Sequence, residues 1–253
     1  MVQAATPLKV RDEDPPWTGW DVLGIIAVAL ASIVVLPAII IGIAHATVYR
    51  SLSWMQIARI PEVILIAQVF MYLVVFGAMY QLLKSRTGTF WQTVRWNWPT
   101  HRWLGFLLSG MVLYFVLAGL GALFPIPKHL PIDRFFETAR EATILSIIAV
   151  TLAPLMEELF FRGFFYPVLA RRLGTGISVV LTAAAFAILH GAQLKYSWAV
   201  LIIFLVGLAL TAVRAMTKSV AASFLLHVGY NGTLSALLFV VTGGFRHLDK
   251  LNK

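Results

Sequence analysis

The stretch "APLMEELFFRG" at 153–163 sets two adjacent glutamates and an arginine inside an apolar run that reaches back to Thr143. Ionisable groups in such surroundings are costly and by default point to function. On a helix, Glu158 and Arg162 are i and i+4, so they share a face and can pair; a paired charge is far cheaper in a low-dielectric medium than a lone one. Glu157 lies about 100° round the helix and is left over. A carboxylate without a structural partner in an apolar site suits a general base or acid. Three more polar groups sit within apolar runs: His190 at the end of "FAILH", one turn after Phe186, and His227 with Asn231 in "HVGYN", again four apart. Taken singly, each has a plainer reading. The Glu–Arg set could lock two helices, and His227 with Asn231 could be an interhelical hydrogen-bond pair.

Depth lifts them above those separate readings. Glu157 stands 14 residues before Arg171, and His190 14 residues after Gly176, on either side of the turn "ARRLGTG". Both therefore lie about 21 Å from that turn. The turn "AMTKS" (215–219) belongs on the same face; from Ser219, His227 is about 12 Å deep and Asn231 about 18 Å. Four polar side chains from three helices thus overlap in depth, and a wet cavity opening toward the 191–197 loop would accommodate them. Arg214 lies close to the near surface and is read as a loop charge that snorkels.

A carboxylate, two imidazoles and an amide suit hydrolysis of an amide bond. Glu157 would take a proton from water, with His190 as orienter or second base. His227 and Asn231 would donate to the tetrahedral oxyanion. No serine or threonine stands beside these groups with a base at helical spacing, so no acyl-enzyme nucleophile is expected. The same residues admit a zinc form, with Glu157, His190 and His227 as ligands and a fourth position open, although the familiar H-E-x-x-H helix is absent. The metal-free form is the first reading, with no cofactor; zinc is the alternative.

The elements that must position these groups follow from composition. Of 253 residues, 60% are hydrophobic and 12% charged, with mean hydropathy +0.85. Soluble domains run near half apolar and a quarter charged, so this chain predicts an all-α, polytopic transmembrane helical bundle, an integral, multi-pass membrane protein. Apolar runs fall at about 22–43, 62–83, 103–124, 143–170, 176–190, 198–216 and 219–242. They predict about seven spans, with six or eight also compatible. The linkers 50–62 and 89–103 mix tryptophan with basic residues, as interfacial helices do. The linker 124–141 is proline-rich, then amphipathic, and is read as a connector on the surface or a cover over a cavity. In domain terms, 1–19 is a polar flexible tail, 20–242 a single bundle with its catalytic core at about 143–232, and 243–253 a basic tail. The first run, preceded by acidic residues, reads as an uncleaved anchor. Lys and Arg divide too evenly between the two sides to set an orientation.

The absence of cysteine excludes disulfides, a thiol nucleophile and Cys-ligated zinc. The net charge of +9 and pI near 10.1 come from residues between apolar runs, where they suit membrane lipids as partners. No basic stripe is interleaved with exposed aromatics, so no nucleic-acid partner is expected.

"EELFFR" (157–162), "FAILH" (186–190) and "HVGYN" (227–231) resemble the three signatures of the CAAX-protease and bacteriocin-processing family, the Abi-type intramembrane proteases that include the Ras-converting enzyme. Its patterns E-E-x-x-x-R, F-x-x-x-H and H-x-x-x-N all match in order, over about residues 143–232. The resemblance implies an intramembrane endopeptidase acting near the C-terminus of a membrane-anchored or prenylated peptide or protein. Glu157 then resembles the water-activating glutamate, His190 its partner, and His227 with Asn231 the oxyanion site; Glu158 and Arg162 resemble the supporting pair. Two other functions use the same residues: a non-catalytic membrane immunity or binding protein, and a proton relay or transporter. The last would need a second pathway and inverted repeats, and neither is visible.

Overall fold

The computed structural model describes residues 13–127 and 129–249. Seven apolar helices correspond one for one to the seven apolar runs: α1 (Gly19–Thr47), α2 (Pro61–Thr87), α3 (Trp103–Gly121), α4 (Ala139–Leu173), α5 (Thr175–His190), α6 (Ala199–Thr217) and α7 (Val220–Val241). Six are long and apolar enough to cross a membrane; α5, with 16 residues, is the short one. It covers about 24 Å, less than the roughly 30 Å of a hydrocarbon core. A helix started at one face therefore ends inside, with His190 as its last residue. The outward faces are apolar, with Val34, Phe115, Ile188 and Val240 exposed, as lipid-facing surfaces require.

Local signals explain the ends. Pro61 opens α2, and Gly88, at φ +76°, closes it by donating to the Lys84 carbonyl. Thr138 and Glu141 form a capping box at the start of α4. Short helices at Trp54–Ile57 and Phe90–Thr93, and a 3-10 turn at Pro131–Phe136, occupy the three linkers expected at the interface. The last of these packs on the turn Ala192–Leu194 just beyond His190.

Helix α4 lies at the centre, against α2, α5 and α7. It is not one regular helix. Pro154 lacks the N–H that would bond the Val150 carbonyl, and the helix breaks at Thr151. From Glu158 to Phe165 the backbone is π-helical, and Pro167 follows as α geometry resumes. Simple helical spacing did not anticipate this widening, which occurs mostly at functional sites. Helix α3 presses on α7 at Gly110 and Gly229: a Cβ at either would stand 2.1 Å from a carbonyl of the other helix, Leu226 or Leu107. Gly229 lies between His227 and Asn231, so this crossing sets how deeply the polar face of α7 sits.

Two expectations need correction. The polar segment read as a flexible tail through 19 is packed from Glu13 onward: Glu13 and Trp17 are buried, and α1 begins at Gly19. Residues 1–12 lie outside the described residues, as do 250–253 of the expected basic tail. Arg214, read as a snorkelling loop charge, is also buried, with its Nη1 2.9 Å from the Glu13 carboxylate. The acidic residue and the cation remove each other from solvent, which neither would do alone.

Candidate active site

Glu157, His190 and His227 come from α4, α5 and α7 to one place. His190 Nε2 is 3.9 Å from one Glu157 carboxylate oxygen and His227 Nε2 is 3.7 Å from the other. The opposite nitrogen of each ring has its own partner. His190 Nδ1 lies 2.9 Å from the Phe186 carbonyl, which only accepts, so that nitrogen carries the proton. His227 Nδ1 lies 2.9 Å from Glu158 Oε1, and a carboxylate likewise only accepts. Both rings are held as Nδ1–H tautomers, with both Nε2 atoms turned to Glu157.

Behind them is a dry layer. Glu158 and Arg162 have no exposed side-chain surface and pair at 2.9 Å; the π turn keeps the expected i, i+4 contact. Arg162 also donates to the Thr211 hydroxyl and the Gly207 carbonyl of α6, each at 3.2 Å. Glu158 accepts from Ser223, whose hydroxyl also meets the Leu210 carbonyl. Phe186 separates the parts: the Arg162 guanidinium sits 4.5 Å over its ring, and the His190 and His227 rings lie 4.7 and 5.9 Å away. Exposure rises from zero in this layer to 4% at His227, 18% at Glu157 and 24% at His190. The site therefore opens on the Glu157 and His190 side.

Asn231, one turn beyond His227 on α7, has a backbone partner. Its Nδ2 donates to the Ala149 carbonyl at 2.7 Å, just before the Thr151 break, so one amide proton is committed to α4. His227 is hydrogen-bonded through Nδ1 to Glu158 and stands 3.7 Å from Glu157 through Nε2. Three residues escaped the sequence reading. Ser223 was findable, being i−4 from His227 and i−8 from Asn231 on one stripe. Thr211 is a polar residue in an apolar run. Tyr72 of α2, within electrostatic reach of Glu157, had no motif to mark it.

Among the described residues, no group of three or more His, Cys, Asp or Glu side chains is placed to hold a metal ion. Two adjoining apolar clefts, about 600 and 320 Å³, run between α1 and α2 and between α2 and α4. They share Glu62, Ile66, Phe70 and Arg140, and the inner wall of the second includes Ile144 and Ile148. Ile148 adjoins Ala149, the partner of Asn231. The clefts are lined from α1, α2 and α4 without any of the polar site residues, and the Glu62–Arg140 pair at 3.9 Å lies beside them.

The UPF0177 protein YbdI of Lactococcus lactis is 25% identical over 136 residues, which cover 54% of this chain and 71% of that protein. No solved structure matches the chain. Residues 139–233 match the family model described as type II CAAX prenyl endopeptidase Rce1-like, a stretch that holds α4 to α6, the first part of α7 and every motif residue named above. Over that domain the chain is similar to the Rce1-like CAAX-protease family, and its six helices long and apolar enough to cross a membrane make it an integral, multi-pass membrane protein.

Proposed function

We propose that the protein is an intramembrane endopeptidase that hydrolyses a peptide bond near the C-terminus of a membrane-anchored or lipidated substrate, with Glu157 activating water. The observation that carries this reading is the Glu157 carboxylate facing two Nε2 atoms whose rings are locked through Nδ1. A water molecule between them gives its proton to Glu157, while the His190 Nε2 lone pair accepts its other hydrogen and aims the oxygen. The hydroxide formed attacks the scissile carbonyl. The oxyanion takes a hydrogen bond from the second Nδ2 proton of Asn231. His227 Nε2 joins as a donor when its ring carries both protons, and in that form two carboxylates, Arg162 and the imidazolium sum to zero charge. As the C–N bond breaks, Glu157 returns its proton to the leaving amine. Glu158 and Arg162 hold His227 without touching substrate. The apolar clefts between α1, α2 and α4 suit the hydrocarbon chain of a lipidated substrate.

The test is cleavage of a fluorescent farnesylated peptide by purified protein in detergent. Glu157→Gln keeps shape and removes the base, so turnover falls by about 10²–10⁴-fold while the melting temperature holds. Survival of cleavage in that variant ends the mechanism. A cellular phenotype indifferent to Glu157, His190 and His227 favours a non-catalytic binding protein instead.

A further inference from the structure

The segment before α1 does more than cover the bundle. Glu13, Pro15 and Trp17 face inward while Asp14, Pro16 and Thr18 face out, the alternation of an extended chain. Its backbone is tied to two helices: Arg171 of α4 donates to the Pro15 and Trp17 carbonyls at 2.7 and 3.0 Å, and Arg86 of α2 to the Pro16 carbonyl at 3.1 Å. Glu13 anchors the other end, with Arg95 at 3.0 Å and Arg214 of α6 at 2.9 Å. Between these ties, the Trp17 indole lies flat on Phe164, at 5.2 Å and 7°, and its Nε1–H donates to the Phe164 carbonyl at 2.8 Å.

Phe164 belongs to the π-helical stretch that starts at Glu158. A π turn displaces carbonyls from the donors an α-helix would offer, and Pro167 brings no N–H at all. The missing N–H would have gone to the Gly163 or Arg162 carbonyl, and the adjoining Phe164 carbonyl takes a donor from a residue far away in sequence. The same stretch sets the rotation of Glu158 and Arg162, and of Glu157 next to them, relative to the histidines of α5 and α7.

We infer that residues 13–17 form a strap whose Trp17–Phe164 latch holds the π register of α4, making Trp17 a positioning residue for Glu157. The inference rests on the protease reading for its kinetic arm but not for its structural arm. Misplacement of a reacting group by about 1 Å costs on the order of a hundredfold in rate, so a loosened register acts on turnover more than on substrate binding.

The experiment uses the full chain and two variants. Trp17→Phe keeps the stacked ring and removes the donor; Trp17→Ala removes both. With the farnesylated peptide, Trp17→Phe is expected to lower kcat about tenfold, with KM within about twofold and the melting temperature within about 2 °C. Trp17→Ala loses more. Hydrogen exchange at amides 158–166 is expected to quicken several-fold in Trp17→Phe. Wild-type kcat in Trp17→Phe, a change confined to KM, or a fall in kcat matched by the unfolded fraction would each overturn the latch. If the wild-type protein cleaves nothing, the protease reading fails separately, and exchange decides alone: faster exchange at 158–166 sustains the latch and unchanged exchange overturns it.

Discussion

Replacing Arg162 by methionine isolates the dry layer behind the site. The wild-type guanidinium gives hydrogen bonds to Glu158 at 2.9 Å and to Thr211 and Gly207 at 3.2 Å, and neither charged side chain has exposed surface. Methionine fills much of the volume but leaves Glu158 with only Ser223 and His227 as donors. Breaking one side of a buried ion pair costs roughly 3–5 kcal/mol. At about 2–4 °C per kcal/mol for a chain of this size, the melting temperature should fall by about 6–20 °C. E158Q leaves the arginine uncompensated and should cost a similar amount. The double variant removes both charges, so its loss should be less than the sum of the singles by about 2 kcal/mol or more. Far-UV circular dichroism melts of the four proteins in one detergent measure all of this. An R162M melt within about 2 °C of wild type, or strictly additive losses, refutes the claim that this pair is buried and coupled.

Gly110→Ala and Gly229→Ala each put a Cβ 2.1 Å from a carbonyl across the α3–α7 crossing. Each should destabilise by about 1–3 kcal/mol, read by thermal melts, and should slow cleavage by moving His227. Asn231→Ala frees the Ala149 carbonyl and removes the oxyanion donor, so kcat should drop by about 10²–10³-fold with KM little changed. Glu13→Gln strips Arg214 of its carboxylate and should lower the melting temperature, an effect that a disordered tail would not produce. Metal analysis with chelator separates the two hydrolytic forms: in the metal-free form cleavage persists in chelator and zinc is substoichiometric, whereas loss restored by added zinc establishes the zinc form.

The amino-acid order alone determined the helices and one charge pair. Apolar run lengths report directly on what can be buried in lipid, so seven runs became seven helices, and the short run at 176–190 became the 16-residue helix that stops at His190. Glu158 and Arg162 met because four residues along a chain are neighbours on any helix, and a local π turn did not part them. Rise per residue placed Glu157 and His190 at one depth, with His227 and Asn231 of α7 spanning a range that approaches it. What depth could not supply was rotation and partner. That His227 reaches both glutamates, that Asn231 turns to Ala149, and that Ser223 and Thr211 close the network depend on which helix faces meet. The α3–α7 crossing helps set this through backbone contact at two glycines. Glu13 and Arg214 are 201 residues apart. Read locally, one belonged to a tail and the other to a loop, and only the packed bundle brings them close enough for mutual attraction to exceed the cost of leaving water.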